Sequence, residues 1–436
     1  MSGITIGIIG VLAGLALIAL RVPIAVSLGL VSFLGIIELT NVRAAWGIIT
    51  AVPFNFIGNW SFTAVPMFLL MGYICTTSGM TTGLFRAMRV CLSRLPGGLA
   101  IASVGACSMF AAASGSSVAT ASAMARIAVP EMLRHNYNPG LSTGVIAASG
   151  TLGSLIPPSI LMVLYGVYAE VSIGKLFMAG FLPGLLSAAL YVAMIISRVK
   201  VNPELAGEIV ESFSAKEKWE AIREVWALPA LIVFVLGGIF AGFFTPTEAG
   251  AVGAFFATIL ALLRRKLTIA NSLEALRATA RGTGSIFIIL IGTIFLTKFL
   301  ALSGLPTWLA GQMLSVSDSV VWVILSVAVL YIILGMFVDS IGLLLLTLPL
   351  ILPIAVGADM DLIWFGIILI KLLEIGLVSP PVGLNVYVIK GAVGNVVSIQ
   401  KIFQGVAWFI VMDIIALLLI IIFPALSLYL PSIMKI

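Results

Sequence analysis

Four short breaks rich in glycine, serine and proline interrupt apolar stretches of the sequence. They lie at 113–117, 153–159, 338–342 and 376–383. A break in a helix at membrane depth frees main-chain carbonyls, and such backbone must be buried in protein or line a wet cavity. Carbonyl and hydroxyl oxygens suit a hard cation such as sodium, whereas the N-terminal ends of half-helices attract an anionic group. The breaks therefore predict two cation sites that flank one site for a small acidic solute.

Candidate ligands are taken from these breaks. The expected sodium ligands are Ser114, Gly115, Ser116, Gly153, Ser154, Asp339, Ser340, Gly342, Gly376 and Ser379. The expected substrate residues are Ser117, Pro157, Pro158, Ser159, Pro380, Pro381 and Asn385, the last as a hydrogen-bond donor to a carboxylate. Two roles are open for Asp339. An acid inside a membrane is costly and usually functional, here as a cation ligand, but Asp339 can also cap the helix that follows it.

Close helix packing is the alternative explanation for the glycines and serines of the breaks. Packing alone does not require two double prolines at matched depth, Pro157–Pro158 and Pro380–Pro381. The repeated pattern therefore favours binding sites. By contrast, Lys371 and Glu374 lie three residues apart on one span and can pair as a mainly structural contact.

Composition defines the class of protein that carries these breaks. The 436 residues are 61% apolar and 9% charged, with a mean hydropathy of +1.23, so the chain is an all-α polytopic membrane protein. The three cysteines lack a metal or disulfide spacing, and the sequence has no phosphate-binding loop. No enzyme-like constellation of His, Asp, Glu or Ser is evident, so we expect neither an enzyme nor an organic cofactor, and no metal other than sodium.

Apolar run lengths predict the elements that position the breaks. In the first half, spans are expected at 4–20, 24–40, 62–79 and 175–198, with a re-entrant hairpin at 97–134 and a broken span at 140–168. In the second half, spans are expected at 226–243, 247–263, 283–301 and 402–423, with a hairpin at 307–357 and a broken span at 361–391. Modestly amphipathic segments at 44–58 and 267–281 are expected to lie along the interface.

Special residues recur when 223 is added to their positions. Ser117 then maps to Ser340 and Gly153 to Gly376, both double prolines coincide, and Pro23 and Pro130 map to Pro246 and Pro353. This register predicts a duplication, 1–198 and 226–436, joined by a solvated cytoplasmic linker at 199–225 that includes Glu208 and Glu211. Five crossings in each half force opposite orientations, so the repeats are expected to be inverted.

Lysine and arginine predict the orientation, because they favour cytoplasmic loops. If both termini are in the periplasm, only three basic residues lie on the periplasmic side, Arg43, Lys175 and Lys435, and most of the others lie on the cytoplasmic side. The first hairpin is then expected to enter from the cytoplasm and the second from the periplasm.

Five ordered motifs resemble the large membrane subunit of tripartite ATP-independent periplasmic (TRAP) transporters. They are SGSSVAT at 114–120, MARIAVPEM at 124–132, GTLGSLIPPSI at 150–160, TPTEAG at 245–250 and SPPVGLN at 379–385. The resemblance covers essentially the whole chain. It implies a bacterial inner-membrane secondary transporter that imports organic acids with a sodium gradient by an elevator motion.

The resemblance also implies two protein partners. A soluble periplasmic binding protein would deliver the organic acid, and a small four-helix membrane subunit would accompany this chain. No four-span segment precedes Ile4, so the small subunit is expected as a separate chain.

The sequence leaves the solute and the type of transport protein open. The solute could be a C4-dicarboxylate, sialic acid or another sugar acid. A stand-alone sodium/dicarboxylate symporter is the nearest alternative, and a passive channel or scaffold subunit is the alternative from another class.

Overall fold

The computed structural model describes residues 2–207, 213–317 and 319–434. Every regular element in these ranges is helical. The first ten α-helices are α1 Gly3–Ala19, α2 Ile24–Leu39, α3 Val42–Ile57, α4 Ala64–Thr77, α5 Leu84–Leu92, α6 Gly98–Ser114, α7 Ser117–Arg134, α8 Pro139–Leu155, α9 Ile160–Tyr168 and α10 Ile173–Val201. The remaining eleven are α11 Ala215–Val225, α12 Ala227–Phe240, α13 Pro246–Leu263, α14 Ile269–Ser303, α15 Leu305–Val316, α16 Val320–Gly335, α17 Ser340–Gly357, α18 Leu362–Val378, α19 Leu384–Val393, α20 Ile399–Ile422 and α21 Ala425–Ser432.

The chain is a multi-pass membrane protein. Seven helical segments in the described ranges are long and apolar enough to cross a bilayer, or eight if α11 and α12, bent by 54°, form one span. Several further apolar helices, such as α6 and α16, are shorter than about 20 residues, the length that a bilayer crossing needs. α6 is buried against other helices almost throughout, whereas α16 leaves Leu325, Val329 and Ile333 exposed.

Helix bounds recur at the same offset as the special residues. Adding 223 to the bounds of α6, α7 and α8 reproduces those of α16, α17 and α18 to within two residues. In each set a short tip joins the first two helices, and a four- or five-residue break, 156–159 or 379–383, follows the third. The inverted orientation of the two halves stays a prediction.

Two elements differ from the expected bounds. The range 307–357 holds three helices, because Ser317 is extended and ends α15 before α16 begins, so the hairpin itself is α16 and α17. The segment 267–281 and the span 283–301 form one continuous helix, α14, because Gly282 is accommodated without a break. A helix of 35 residues is about 52 Å long and exceeds a hydrocarbon core of about 30 Å.

Glycine contacts place the broken spans at the centre of the fold. α8 is buried almost throughout and packs against α6, α7 and α20. A Cβ added to Gly144 would lie 2.5 Å from the carbonyl carbon of Gly405, and one added to Gly405 would overlap the Gly140 carbonyl. Small residues allow the backbones of α8 and α20 to approach this closely. α18 is equally buried and contacts α16, α17 and α20.

The predicted linker is partly helical. Its described part consists of the end of α10, a 3-10 turn at Pro203–Leu205 and α11. Ser214 caps α11, and its hydrogen bonds with Glu217 lower the pKa of that carboxyl group. Glu208, Glu211 and the predicted periplasmic Lys435 lie outside the described residues.

Candidate ion and solute site

The first tip is a two-residue turn between α6 and α7. Gly115 ends α6 in the left-handed region with φ 60°, and Ser116 caps α7. Two features exclude a side chain at position 115. The φ angle is positive, and a Cβ would lie 2.8 Å from the carbonyl oxygen of Pro158. The glycine therefore lets the tip touch the break between α8 and α9.

Hydroxyl groups connect the first tip to α8. Ser117 Oγ and Ser154 Oγ are 2.5 Å apart, and Ser117 Oγ also donates to the carbonyl oxygen of Thr151 at 3.2 Å. Within the tip, Thr120 Oγ1 lies 2.9 Å from Ser114 Oγ and donates to the Ser116 carbonyl oxygen at 2.8 Å. Thr120 and Thr151 were absent from the predicted set, because neither lies in a break.

The break between α8 and α9 packs tightly beneath this tip. The amide of Ile160 donates to the Gly115 carbonyl at 3.4 Å. A Cβ at Gly153 would lie 2.9 Å from the Ser116 carbonyl carbon, so only glycine fits there without displacement. Pro157, Pro158 and Ser159 are buried. Ser159 Oγ has no hydrogen-bonding partner among the residues that the structure describes.

The second tip carries the acid. Asp339 caps α17, and its Oδ2 accepts a hydrogen bond from the Gly342 amide at 3.0 Å. Capping is therefore observed, and Asp339 also lines the tip cavity described below, so contact with a cation stays a prediction. Ser340 Oγ is buried and has no partner within the described part of the chain. Below the tip, Gly376 packs against Gly335, where an added Cβ would lie 2.8 Å from the Gly335 Cα.

The second break is more open than the first. Pro380 and Pro381 are exposed, whereas Ser379 is buried and donates to the Ile375 carbonyl at 2.7 Å. The Gly383 amide donates to the Met336 carbonyl at 3.3 Å, a contact similar to that between Ile160 and Gly115.

Asn385 lies just past this break but is not directed to the tips. Its Nδ2 donates to the Ala147 carbonyl of α8 at 3.2 Å, and the residue is fully buried. In this structure one N–H of the amide joins α19 to α8, and the role of Asn385 as a donor to a substrate carboxylate stays a prediction.

The two tips meet across one cavity of about 90 Å³. Six predicted residues line it: Gly115, Ser116, Ser117, Ser154, Asp339 and Ser340. Its apolar walls, Val118, Ile160, Leu161, Ile341 and Leu377, were not predicted, because apolar residues beside a break carry no distinctive signal. The cavity has room for water, since about 10–15 Å³ suffices to hold one water molecule.

A neighbouring cavity of about 310 Å³ shares Ser116, Ile160 and Ile341 with the first and includes Ser114. The other predicted residues do not line the tip cavity. Three glycines support it through close backbone contacts: Gly153, Gly342 and Gly376. The rest lie in or next to the breaks: Pro157, Pro158, Ser159, Ser379, Pro380, Pro381 and Asn385. Their assignments to sodium and substrate stay predictions.

The donor set suits a small hard cation. The lining supplies hydroxyl, carbonyl and carboxylate oxygens, and Ser340 Oγ is a buried oxygen whose hydrogen bonds the described residues leave unmade. Sodium prefers such oxygens, and α7 and α17 both begin at this cavity, so the positive ends of their dipoles face it.

Comparison with known proteins gives the family. Residues 11–426 match "Tripartite ATP-independent periplasmic transporter, DctM component". The C4-dicarboxylate TRAP transporter large permease protein DctM of Pseudomonas aeruginosa is 35% identical over 86% of this chain and 87% of its own length. The sialic acid TRAP transporter large permease protein SiaM of Vibrio cholerae is 32% identical with the same coverage. The isethionate TRAP transporter permease protein DctMQ of Oleidesulfovibrio alaskensis is 34% identical over 94% of this chain and 64% of its own length.

Solved structures with low identity share the fold. The YdaH transporter of Alcanivorax borkumensis has a TM-score of 0.64 at 10% identity and covers 89% of this chain and 90% of that chain. MtrF of Neisseria gonorrhoeae has a TM-score of 0.57 at 13% identity, with 88% of this chain and 85% of that chain covered. The family match over nearly the full length and the relatives above 30% identity, all transport permeases rather than enzymes, lead to one conclusion: this chain belongs to the DctM-component family of large TRAP transporter permeases.

Proposed function

We propose that this chain is a sodium-coupled secondary transporter subunit that imports organic acids. The observation that carries the proposal is the shared cavity in which Ser117 and Ser154 of the first repeat face Asp339 and Ser340 of the second. Among these groups, Ser340 Oγ is buried without a partner in the described part of the chain, and an unpaired buried polar group is costly in a purely structural core, so a bound ligand would account for it.

Each part of the cavity has a proposed role. The hydroxyl and carbonyl oxygens of the tips and the Asp339 carboxylate would hold sodium, and the N-terminal ends of α7 and α17 would attract the anionic group of the solute. Binding of both is then cooperative, because the cation offsets the repulsion between Asp339 and an acidic solute.

The solute class rests on the relatives. The similar permeases are named for C4-dicarboxylate, sialic acid and isethionate. All three are small organic anions, which agrees with a site built from hydroxyls, backbone and helix ends. A C4-dicarboxylate or a sialic acid is the proposed substrate.

The proposed assembly follows the family. A periplasmic binding protein would deliver the acid, and a four-helix small subunit would flank this chain. We propose that the small subunit is a separate chain, although the similar DctMQ protein is named as a single permease that this chain matches over 64% of its length. Inverted repeats in the inner membrane, with both termini periplasmic, would move the two hairpins and broken spans as an elevator.

Proteoliposomes test this function. The chain is reconstituted with its small subunit and purified binding protein, and uptake of radiolabelled succinate and sialic acid is followed under an inward sodium gradient. We expect electrogenic uptake of one probe that stops when choline replaces sodium. Uptake that ignores sodium would favour a passive channel, and sodium-driven uptake without the binding protein would favour a stand-alone symporter.

A further inference from the structure

A polar cavity of about 250 Å³ lies where α10 ends and where α8 and α20 begin. Two basic side chains line it, Arg198 of α10 and Lys401 of α20, together with Gln404 and the first residues of α8. None of the described residues that line it is acidic. It shares no lining residue with the tip cavity or with the cavity next to that one, so it is a separate place in the fold.

The described part of the chain does not neutralise these two cations. None of the ion pairs within those ranges includes Arg198 or Lys401. The guanidinium group of Arg198 is half-buried and lies over the Trp408 ring, 5.1 Å from its centroid. Such stacking uses the face of the guanidinium group and not its N–H donors, which can still bind an anion. Because like charges repel, an anion between the two cations would lower the energy of the cavity.

Two helix ends add positive potential to the same space. α8 begins at Pro139, which lines the cavity, and Lys401 lies in the first turn of α20. The positive end of each helix dipole is therefore near the cavity. Asn138 and Ser398 already cap these ends, so the two cations supply the main attraction for an anion.

One exposed face of α20 leads from the cavity along the helix. It begins with Lys401 and Gln404 and continues with Trp408, which is 49% exposed. Four exposed apolar side chains follow at spacings of three or four residues: Val411, Ile414, Leu418 and Ile422. Tryptophan is typical of the boundary between lipid headgroups and hydrocarbon. A cationic cavity beside an apolar stripe favours a ligand with a charged head and an acyl chain over a free anion.

We propose that this cavity binds the phosphate group of an anionic phospholipid, with Arg198 and Lys401 as its cationic ligands. Basic pockets between membrane helices are suited to such headgroups. The Gln404 amide can donate to a phosphate or ester oxygen, and the acyl chains lie along the apolar stripe of α20. The lipid would hold the ends of α8, α10 and α20 together at the membrane surface.

Lipid titration followed by native mass spectrometry tests the proposal. The full chain is purified in detergent, freed of lipid and titrated with phosphatidylglycerol or with the zwitterionic phosphatidylcholine. We expect one phosphatidylglycerol to bind in preference to phosphatidylcholine. Arg198→Gln and Lys401→Gln should each weaken this binding about fivefold, the usual contribution of one basic residue near an anionic membrane surface. Arg198→Lys keeps the charge and should bind more tightly than Arg198→Gln.

The matched control is Lys200→Gln, which removes an exposed cation of α10 outside the cavity and should bind as the wild type does. Equal binding of the two lipids, or an equal loss in the control, would overturn the proposal. Competition by inorganic phosphate or glycerophosphoglycerol at the concentration of the lipid would identify a soluble anion as the ligand. Loss of phosphatidylglycerol from the complex with the small subunit would identify a protein interface; both results would also overturn it.

Thermal melting in the same detergent gives an independent readout. A ligand that binds the folded state raises the melting temperature, so phosphatidylglycerol should raise it in the wild type and in Lys200→Gln. The rise should be smaller in Lys401→Gln, whose side chain is exposed and whose fold should be unchanged without lipid. It should also shrink at high salt, because salt screens the attraction. An equal rise in Lys401→Gln and in the wild type would contradict the assigned ligands.

Discussion

Ser117 Oγ and Ser154 Oγ lie 2.5 Å apart and join the first turn of α7 to the last turn of α8. This contact links the tip of the first hairpin directly to the broken span, and both serines also line the cavity that the second tip closes. A displacement of either element would therefore change the position of the oxygens offered to a ligand.

Replacement of Ser117 by alanine removes this link. We expect the sodium concentration for half-maximal uptake to rise about tenfold, because loss of one buried hydrogen-bonding group costs roughly 1 to 2 kcal/mol. The matched control is Ser103→Ala in α6, whose buried hydroxyl bonds to the Leu99 carbonyl and to Met132 Sδ and does not line the tip cavity. An equal change in sodium dependence in both variants would contradict a role for the Ser117 hydroxyl in ion binding.

Two substitutions separate the two roles of Asp339. Asparagine can still cap α17, so Asp339→Asn should keep the wild-type melting temperature and lose most sodium-driven uptake. Asp339→Ala should lose uptake and also about 1 kcal/mol of stability, because the cap is gone. Asp361→Asn, at the corresponding cap of α18, is the control that should change neither. Normal sodium dependence in Asp339→Asn would show that the acid only caps the helix.

The contact between α8 and α20 depends on glycine at position 405. Gly405→Ala should lower the free energy of unfolding by about 1 to 3 kcal/mol, because the new methyl group overlaps the Gly140 backbone. Gly391→Ala is the matched control, since nothing lies within 4 Å of its added Cβ. Melting curves of the two variants in detergent give the comparison; similar melting temperatures would argue against close backbone packing at this point.

Cysteine labelling tests the inverted repeats. Arg134 and Val356 lie at the same ends of the equivalent helices α7 and α17, and both are exposed. In a background that lacks Cys75, Cys91 and Cys107, we expect a membrane-impermeant thiol reagent to label Arg134→Cys only from the cytoplasm and Val356→Cys only from the periplasm. If both positions react from the same side, the halves are not inverted.

The sequence alone determined the elements. Apolar run lengths, the break residues and the 223-residue register are local properties, and they predicted a helical membrane protein with tips at Ser117 and Ser340. The long motifs also identified the TRAP family, which the comparisons confirm. The local pattern did not predict that α14 continues through Gly282. Whether a helix ends at a glycine depends on its packing against other helices and not only on the helix propensity of that residue.

Only the tertiary structure decided which polar groups meet. Asn385, predicted at the substrate, donates to Ala147 of another helix, and the predicted pair of Lys371 and Glu374 is present but also includes Asp413. These partners lie 238 and 42 positions apart. The distance between two residues along the chain does not determine whether their helices pack against each other. Which polar side chains meet depends on where small residues allow two helix backbones to come close.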